Sequence, residues 1–381
     1  MNPVIFRKIS FLLALIFLFK TQICLGEKLP ADLTFLIADL KYNEKLGGIK
    51  ICEIQSLSLS KLYGFDFING KEGLAAELVS HVMFKHCREG WFVDRNICDP
   101  RIKTKLKMHG FESLSGINSI FSSKSFQQAA SRKVYDPSKL SDYAGALYAL
   151  PFSIGSLDQF RNNFPGIIVI DAAFFPYMGL VGNKQAVAQL LDHEKLKSLR
   201  PNWKIYPKKF SDRLIEDINR DFPEEIVVIK PLYSTKGNGV IIVSKNDLKG
   251  TLKFILKNQK AQHPDPSYSY WSKDKAETFL VEEFISSDPI AVDHLFGQSF
   301  DGTMRVAFAL TFNEGKFDFH FIECHWKLPQ NSIDSQVSLN QKHKSYAEPP
   351  FFAAVDPLIQ EKVEKELREG MLTMYKMILE K

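Results

Sequence analysis

Between residues 226 and 243 an apolar run ends in Lys230 and Pro231, passes through Ser234, Thr235, Lys236, Gly237, Asn238 and Gly239, and enters a second apolar run. The chemistry such a segment offers is phosphate binding. Glycines let backbone N–H groups approach a phosphate with no Cβ in the way. Ser234 and Thr235 add hydroxyl donors, and Lys230 supplies a point charge. The G-x-x-x-x-G-K-[ST] spacing of a Walker loop is absent, as is the glycine fingerprint of a dinucleotide site. Taken alone, the segment is equally well a plain hairpin with a solvated Lys236.

The elements that must position these residues are read from periodicity. Residues 33–40 and 49–54 alternate as two strands around a turn at 43–48. Residues 73–85 suit a helix, and 166–170 is a short apolar run of the buried-strand kind. A helix is expected over 183–191, with Pro201 and Pro207 breaking the chain after it. Strands are expected over 225–230, 239–243 and 279–285, with a helix over 247–257. Residues 305–312 and 316–323 form a hairpin around Asn313, Glu314 and Gly315, and 357–380 a charged amphipathic helix. The basic stretch 101–107 reads as a solvated helix face.

Four segments in order resemble the ATP-grasp superfamily, whose two α+β lobes clasp ATP. The strand-Lys-Pro segment with its Ser/Thr/Gly flap (227–240) is the first. Upstream, G-N-K-Q-A-V-A-Q-L-L (182–191) resembles the entry helix, which makes Lys184 a second phosphate lysine. Downstream, F-L-V-E-E-F-I (279–285) resembles the hinge strand. There the backbone of Glu282, Glu283 and Phe284 would bond the purine edge, Glu282 would accept from the amino group, and Asp288 stands near the place of a ribose-binding carboxylate. D-G-T-M-R-V (301–306) resembles the segment whose arginine, here Arg305, neutralises the transferring phosphoryl group, so Arg305 and Lys230 are the catalytic candidates.

The resemblance also implies magnesium, held by oxygen ligands. After Arg305 no segment suits it: Glu323 and His325 share a face, but a nitrogen is the wrong ligand. The stretch 38–55 instead resembles the circularly permuted, glutathionylspermidine synthetase-type arrangement, in which metal-binding strands come first. That implies Asp39 and Glu53 as ligands, with Gln55 where the family has asparagine. A buried Glu53 in an ordinary salt bridge is the alternative. Together these imply ATP and Mg2+ as cofactors, an α+β ATP-grasp fold, and a ligase joining an unnamed carboxylate to an amine or thiol through an acyl phosphate. A non-ligase nucleotide-binding protein of the same fold is the competing reading.

Composition is that of a folded protein: of 381 residues 45% are hydrophobic and 24% charged, and the net charge of +5 is too small to argue for nucleic acid. Arg7 and Lys8 before an apolar run at 11–19 read as a signal peptide over 1–26, implying export, or membrane anchoring if uncleaved. No other segment suits a membrane span. The expected division is then 27–175, an N-terminal α/β region with the metal strands, and 176–381, the nucleotide-binding region. Cys87 and Cys98 flank a short loop and can pair in an oxidising compartment; Cys52 and Cys324 read as buried small hydrophobes. His81, His86 and His294 read as structural. Trp326, Lys327 and Pro329 either shape the mouth of a site or place a tryptophan in the core.

Overall fold

The first strand, Asp32–Asn43, is buried along nearly its whole length because apolar residues fill both of its faces. Leu33, Phe35 and Ile37 enter one core, while Leu36, Ala38, Leu40 and Tyr42 enter another. The computed structural model describes residues 29–93, 104, 106–108, 110–114, 116–149, 154–178, 184–234, 237–257 and 262–381. The strand pairs antiparallel with Gly48–Ser56 on one side and Thr303–Asn313 on the other. Lys316–Lys327 and the short Phe352–Ala353 complete a five-stranded sheet. The expected hairpin is thus longer than its apolar pattern indicated, and its partner strands come from near the start of the chain.

The helix Pro357–Leu379 covers one face of this sheet. Asp356 caps it by accepting from the Leu358 and Ile359 N–H groups, and Pro357 sits where no N–H is required. Its buried stripe, Val363, Leu367, Met371, Met374 and Ile378, recurs every three or four residues and shares one core with Leu36, Ala38 and Leu40.

The ladder slips once on each side of the centre. Asp39 faces Glu53 but Leu40 faces Ile51, so Cys52 is an extra residue. Ala307 faces Glu323 but Phe308 faces Phe321, so Ile322 is extra. Such bulges re-aim side chains. The first explains why Ile49, Ile51 and Ile54 all reach one core, a spacing no regular strand allows. It turns Glu53 and Gln55 to the opposite face and leaves Cys52, expected in the core, only half-buried.

A second antiparallel sheet orders Trp203–Pro207, Thr278–Glu283, Ile226–Pro231 and Ile241–Ser244. The helices Asp212–Asp221 and Lys245–Lys257 share its core with the fully buried Trp271. A third, parallel sheet orders Phe111–Leu114, Gly90–Val93, Gly145–Tyr148 and Ile167–Val169. The molecule is therefore a mixed α/β protein of several sheets. The expected signal peptide, Cys98, Thr235, Lys236 and most of the basic stretch lie outside the described residues. No helix among the described residues is long and apolar enough to cross a membrane.

Asp171 ties the parallel sheet to the first strand by accepting the Phe35 N–H at 2.6 Å. Burial pushes its carboxyl up from the ordinary 3.8 to about 7. Above the ordinary value the unfolded chain releases this proton while the folded chain keeps it. Stability therefore falls as pH rises from about 4 to about 7, by up to ~4 kcal/mol. Asp171→Asn retains an oxygen for Phe35 and removes the titration. Urea unfolding at pH 5 and pH 7 is expected to show a loss in the wild type that is absent in the variant; equal losses in both would contradict this role.

Candidate functional site

Across the five-stranded sheet, Glu53, Asp39, Arg305 and His325 stand side by side on four adjacent strands. They extend, in polar form, the face that carries Phe35, Ile37, Ala307 and Ala309 further along. Asp39 is the centre of this row. Arg305 donates from Nε to Oδ1 at 2.8 Å and from NH2 to Oδ2 at 2.9 Å, and Lys327 Nζ donates to Oδ2 at 2.7 Å. The two-pronged guanidinium contact fixes geometry as well as charge. Arg305 NH1 also donates to the Lys61 carbonyl at 3.0 Å, and Lys61 Nζ to Gln55 Oε1 at 2.6 Å.

Burial alone would raise the Asp39 carboxyl; Arg305 and Lys327 hold it far below the usual carboxylate range. Burial opposes the charge on Arg305, and Asp39 more than restores it. Lys61 is pushed down to about 8, first by burial and then by the charge of Arg305. Beyond Arg305, His325 Nδ1 and Glu323 Oε2 lie 3.0 Å apart with no exposure, and among the described residues Glu323 Oε1 and His325 Nε2 have no partner. Gly64 is seated on that imidazole: a Cβ there would fall 2.5 Å from Nε2.

The second sheet contributes Lys230 and Glu282 from adjacent strands. Lys230 and Arg200 both form ion pairs with Glu282, and all three are buried. Burial disfavours both charges of the Lys230–Glu282 pair; each partner offsets it, raising the lysine and lowering the carboxyl. From the first residue of the helix Lys184–Leu191, Lys184 Nζ donates to Ser234 Oγ at 3.1 Å and to the Ser234 carbonyl. Gly239 has φ +73, and a Cβ there would meet the Pro231 ring at 2.5 Å, so this turn admits only glycine.

Glu53 stands at the end of the row beside Asp39. Its charge acts on Lys61, Lys184, Arg305 and Lys327, and it has no bonded cation among the described residues. Cys52, whose thiol burial pushes up, lies in the fields of Lys230, Glu282, Lys41 and Asp39. Six cations (Lys61, Lys184, Arg200, Lys230, Arg305, Lys327) thus accompany four carboxylates (Asp39, Glu53, Glu282, Glu323), a surplus of two positive charges (6 − 4). A surplus of that size, held on converging strands, suits a polyanion.

The expected magnesium ligands do share one face, but the oxygens of two of the three are taken. Both oxygens of Asp39 are held by Arg305 and Lys327, and the Gln55 oxygen is held by Lys61. Among the described residues no three His, Cys, Asp or Glu side chains come together to hold a metal. Magnesium requires near-octahedral oxygen ligation, and a donor set that ammonium and guanidinium groups fill at every position but Glu53 does not fit it.

The other expected contacts are partly engaged as well. The Glu282 carboxylate, expected to accept from a purine amino group, is held by Lys230 and Arg200. Glu283 accepts from the Asn202 side chain at 3.0 Å, and Phe284 packs edge-on against His343 at 4.8 Å. Asp288 accepts the Glu44 N–H at 2.9 Å beside the first hairpin turn. Trp326 is a core residue. Lys61 and Arg200 were not legible as site residues, because isolated basic residues in loops carry no pattern. Lys327 was: Glu323, His325 and Lys327 alternate with the core residues Cys324 and Trp326. The buried Lys41–Asp301–His343 chain, at 2.8 and 2.7 Å, was also unforeseen.

No protein-family model and no curated protein matches the sequence. Among solved structures, the chain is similar to a protein assigned as a gamma-glutamylcysteine synthetase from Methylobacillus flagellatus KT (TM-score 0.42, 10% identity, 92% of this chain and 89% of that one). It is also similar to D-alanyl-alanine synthetase A of Vibrio cholerae (TM-score 0.33, 12% identity, 61% and 59%). A glutathione synthetase-like effector of Globodera pallida gives TM-score 0.37 and 12% identity over 78% and 73%. Likenesses this distant decide nothing about activity. The side-chain arrangement has to carry the functional reading.

Proposed function

We propose that the chain binds ATP between its two larger antiparallel sheets and acts as an ATP-grasp ligase, joining a carboxylate to an amine or thiol. One observation carries this reading: residues 39–61 and 305–327, far apart in sequence, are bonded into one buried row, Lys61 to Gln55 and Arg305 and Lys327 to Asp39, with Lys184 in the field of Glu53 beside it. In this reading Lys184 and Lys230 hold phosphates, Ser234 to Gly239 close over them, and the backbone of Glu282, Glu283 and Phe284 faces the purine. Arg305 and Lys327 neutralise the γ-phosphoryl group as a substrate carboxylate oxygen attacks it. The P–O bond to ADP breaks as the acyl phosphate forms. The amine or thiol then attacks the acyl carbon, inorganic phosphate leaves with the C–O bond electrons, and the nucleophile loses a proton. Positioning and charge neutralisation are all such a transfer asks of the protein.

The test is trapping. The full chain with ATP, hydroxylamine and a panel of amino acids, short peptides and polyamine precursors is expected to yield an acyl hydroxamate in step with phosphate release. Phosphate release with no hydroxamate from any carboxylate would contradict the ligase reading. One observation favours the plainer alternative, nucleotide binding without ligation: Asp39, Gln55 and Glu282 are all occupied by the protein's own cations. ATP binding with neither hydroxamate nor phosphate release would establish that alternative.

A further inference from the structure

The mismatch between the expected magnesium ligands and their partners has a direct chemical meaning. Each oxygen donor but one is bonded to a side-chain cation: Asp39 to Arg305 and Lys327, and Gln55 to Lys61. The remaining one, Glu53, lies in the fields of Lys61, Lys184, Arg305 and Lys327. Lys61 is the informative member. It reaches back from the 3-10 turn Leu59–Lys61 to the Gln55 amide oxygen, while its own carbonyl accepts from Arg305. An ammonium group therefore stands at the amide oxygen that a metal would need, and its backbone is latched to the arginine of the same row.

We propose that Lys61, with Arg305 and Lys327, takes the place of the divalent metal, so that this site binds a nucleoside triphosphate as the free anion without a metal ion. This rests on the nucleotide reading above and deepens it. Asp39 is then a positioning residue: its two oxygens hold the guanidinium and the Lys327 ammonium side by side, both in the field of Glu53. Side-chain cations differ from magnesium in what they prefer. Magnesium bound to ATP cancels two of its charges, so a site built from fixed cations favours the uncomplexed nucleotide.

Calorimetric titration of the full chain with ATP, in EDTA and again with excess magnesium, tests this. Affinity in EDTA is expected to equal or exceed that in magnesium. Lys61→Gln, in a half-buried turn, is expected to weaken binding in EDTA by about tenfold, the effect of ~1.4 kcal/mol, and to make the remaining binding improve when magnesium is added. Binding that disappears in EDTA and returns with magnesium would overturn the proposal while leaving the nucleotide reading intact. Absence of binding under both conditions would overturn both. Should Lys61→Gln fail to fold, the wild-type comparison alone decides, and titration of the wild type with Mn2+ followed by its paramagnetic resonance gives a second readout: no high-affinity Mn2+ is expected without nucleotide, and a tightly bound ion sensitive to Glu53→Gln would contradict the replacement.

Discussion

Replacing Asp39 by alanine is expected to destabilise the fold by about 3–5 kcal/mol, the usual consequence of removing one partner from a buried ion cluster. The residue is 5% exposed, and its loss strands both the Arg305 guanidinium and the Lys327 ammonium in a buried strand row. Neither cation has another carboxylate at bonding distance among the described residues. Because the partners hold the Asp39 carboxyl below its unfolded value, this stabilisation is present above the ordinary carboxylate range and is lost as pH falls through the lowered value. Urea unfolding at pH 7, read as a shifted midpoint at constant slope, measures it. A change below ~1 kcal/mol would show that the cluster does not hold the sheet together.

Lys230→Ala is expected to abolish ATP turnover, a loss of at least on the order of 10²–10³-fold, the scale seen when one preorganised charge-stabilising group is removed. The fold should survive it, since Arg200 still pairs with Glu282 and the strand Ile226–Pro231 keeps its apolar residues Val227 and Ile229 in the core. Turnover and circular dichroism on the same preparation separate the two effects. ATP turnover equal to that of the wild type would remove Lys230 from the site, and with it the assignment of this segment to phosphate.

Much of the architecture could be read from the chain because its signals are local. Alternation placed the strands at 33–40 and 49–54, the glycines marked the turn before Ile241–Ser244, and the Asp356–Pro357 start of the last helix is a capping pattern. The row that joins Glu53, Asp39 and Arg305 was legible only as an inference from order, since register between strands more than 250 residues apart leaves no local trace. The three isoleucines at 49, 51 and 54 did contain the bulge that aims Glu53, but a phase slip is visible only once the core is known. What stayed hidden were the partners. A carboxylate such as Asp39 or Glu282 reads from sequence as a ligand for metal or purine; whether a lysine or arginine already occupies it depends on side chains arriving from distant loops. Arg200, which bonds Glu282 across 82 residues of sequence, is such an arrival.

The most direct measurement is a crystal structure of the full chain with a non-hydrolysable ATP analogue. The β- and γ-phosphates are expected to touch Lys184 and Lys230 on one side and Arg305 and Lys327 on the other, with the purine against the backbone of Glu282 to Phe284. A nucleotide bound elsewhere, or one that leaves Lys230 and Arg305 without phosphate contacts, would contradict a phosphate site shared by the two sheets.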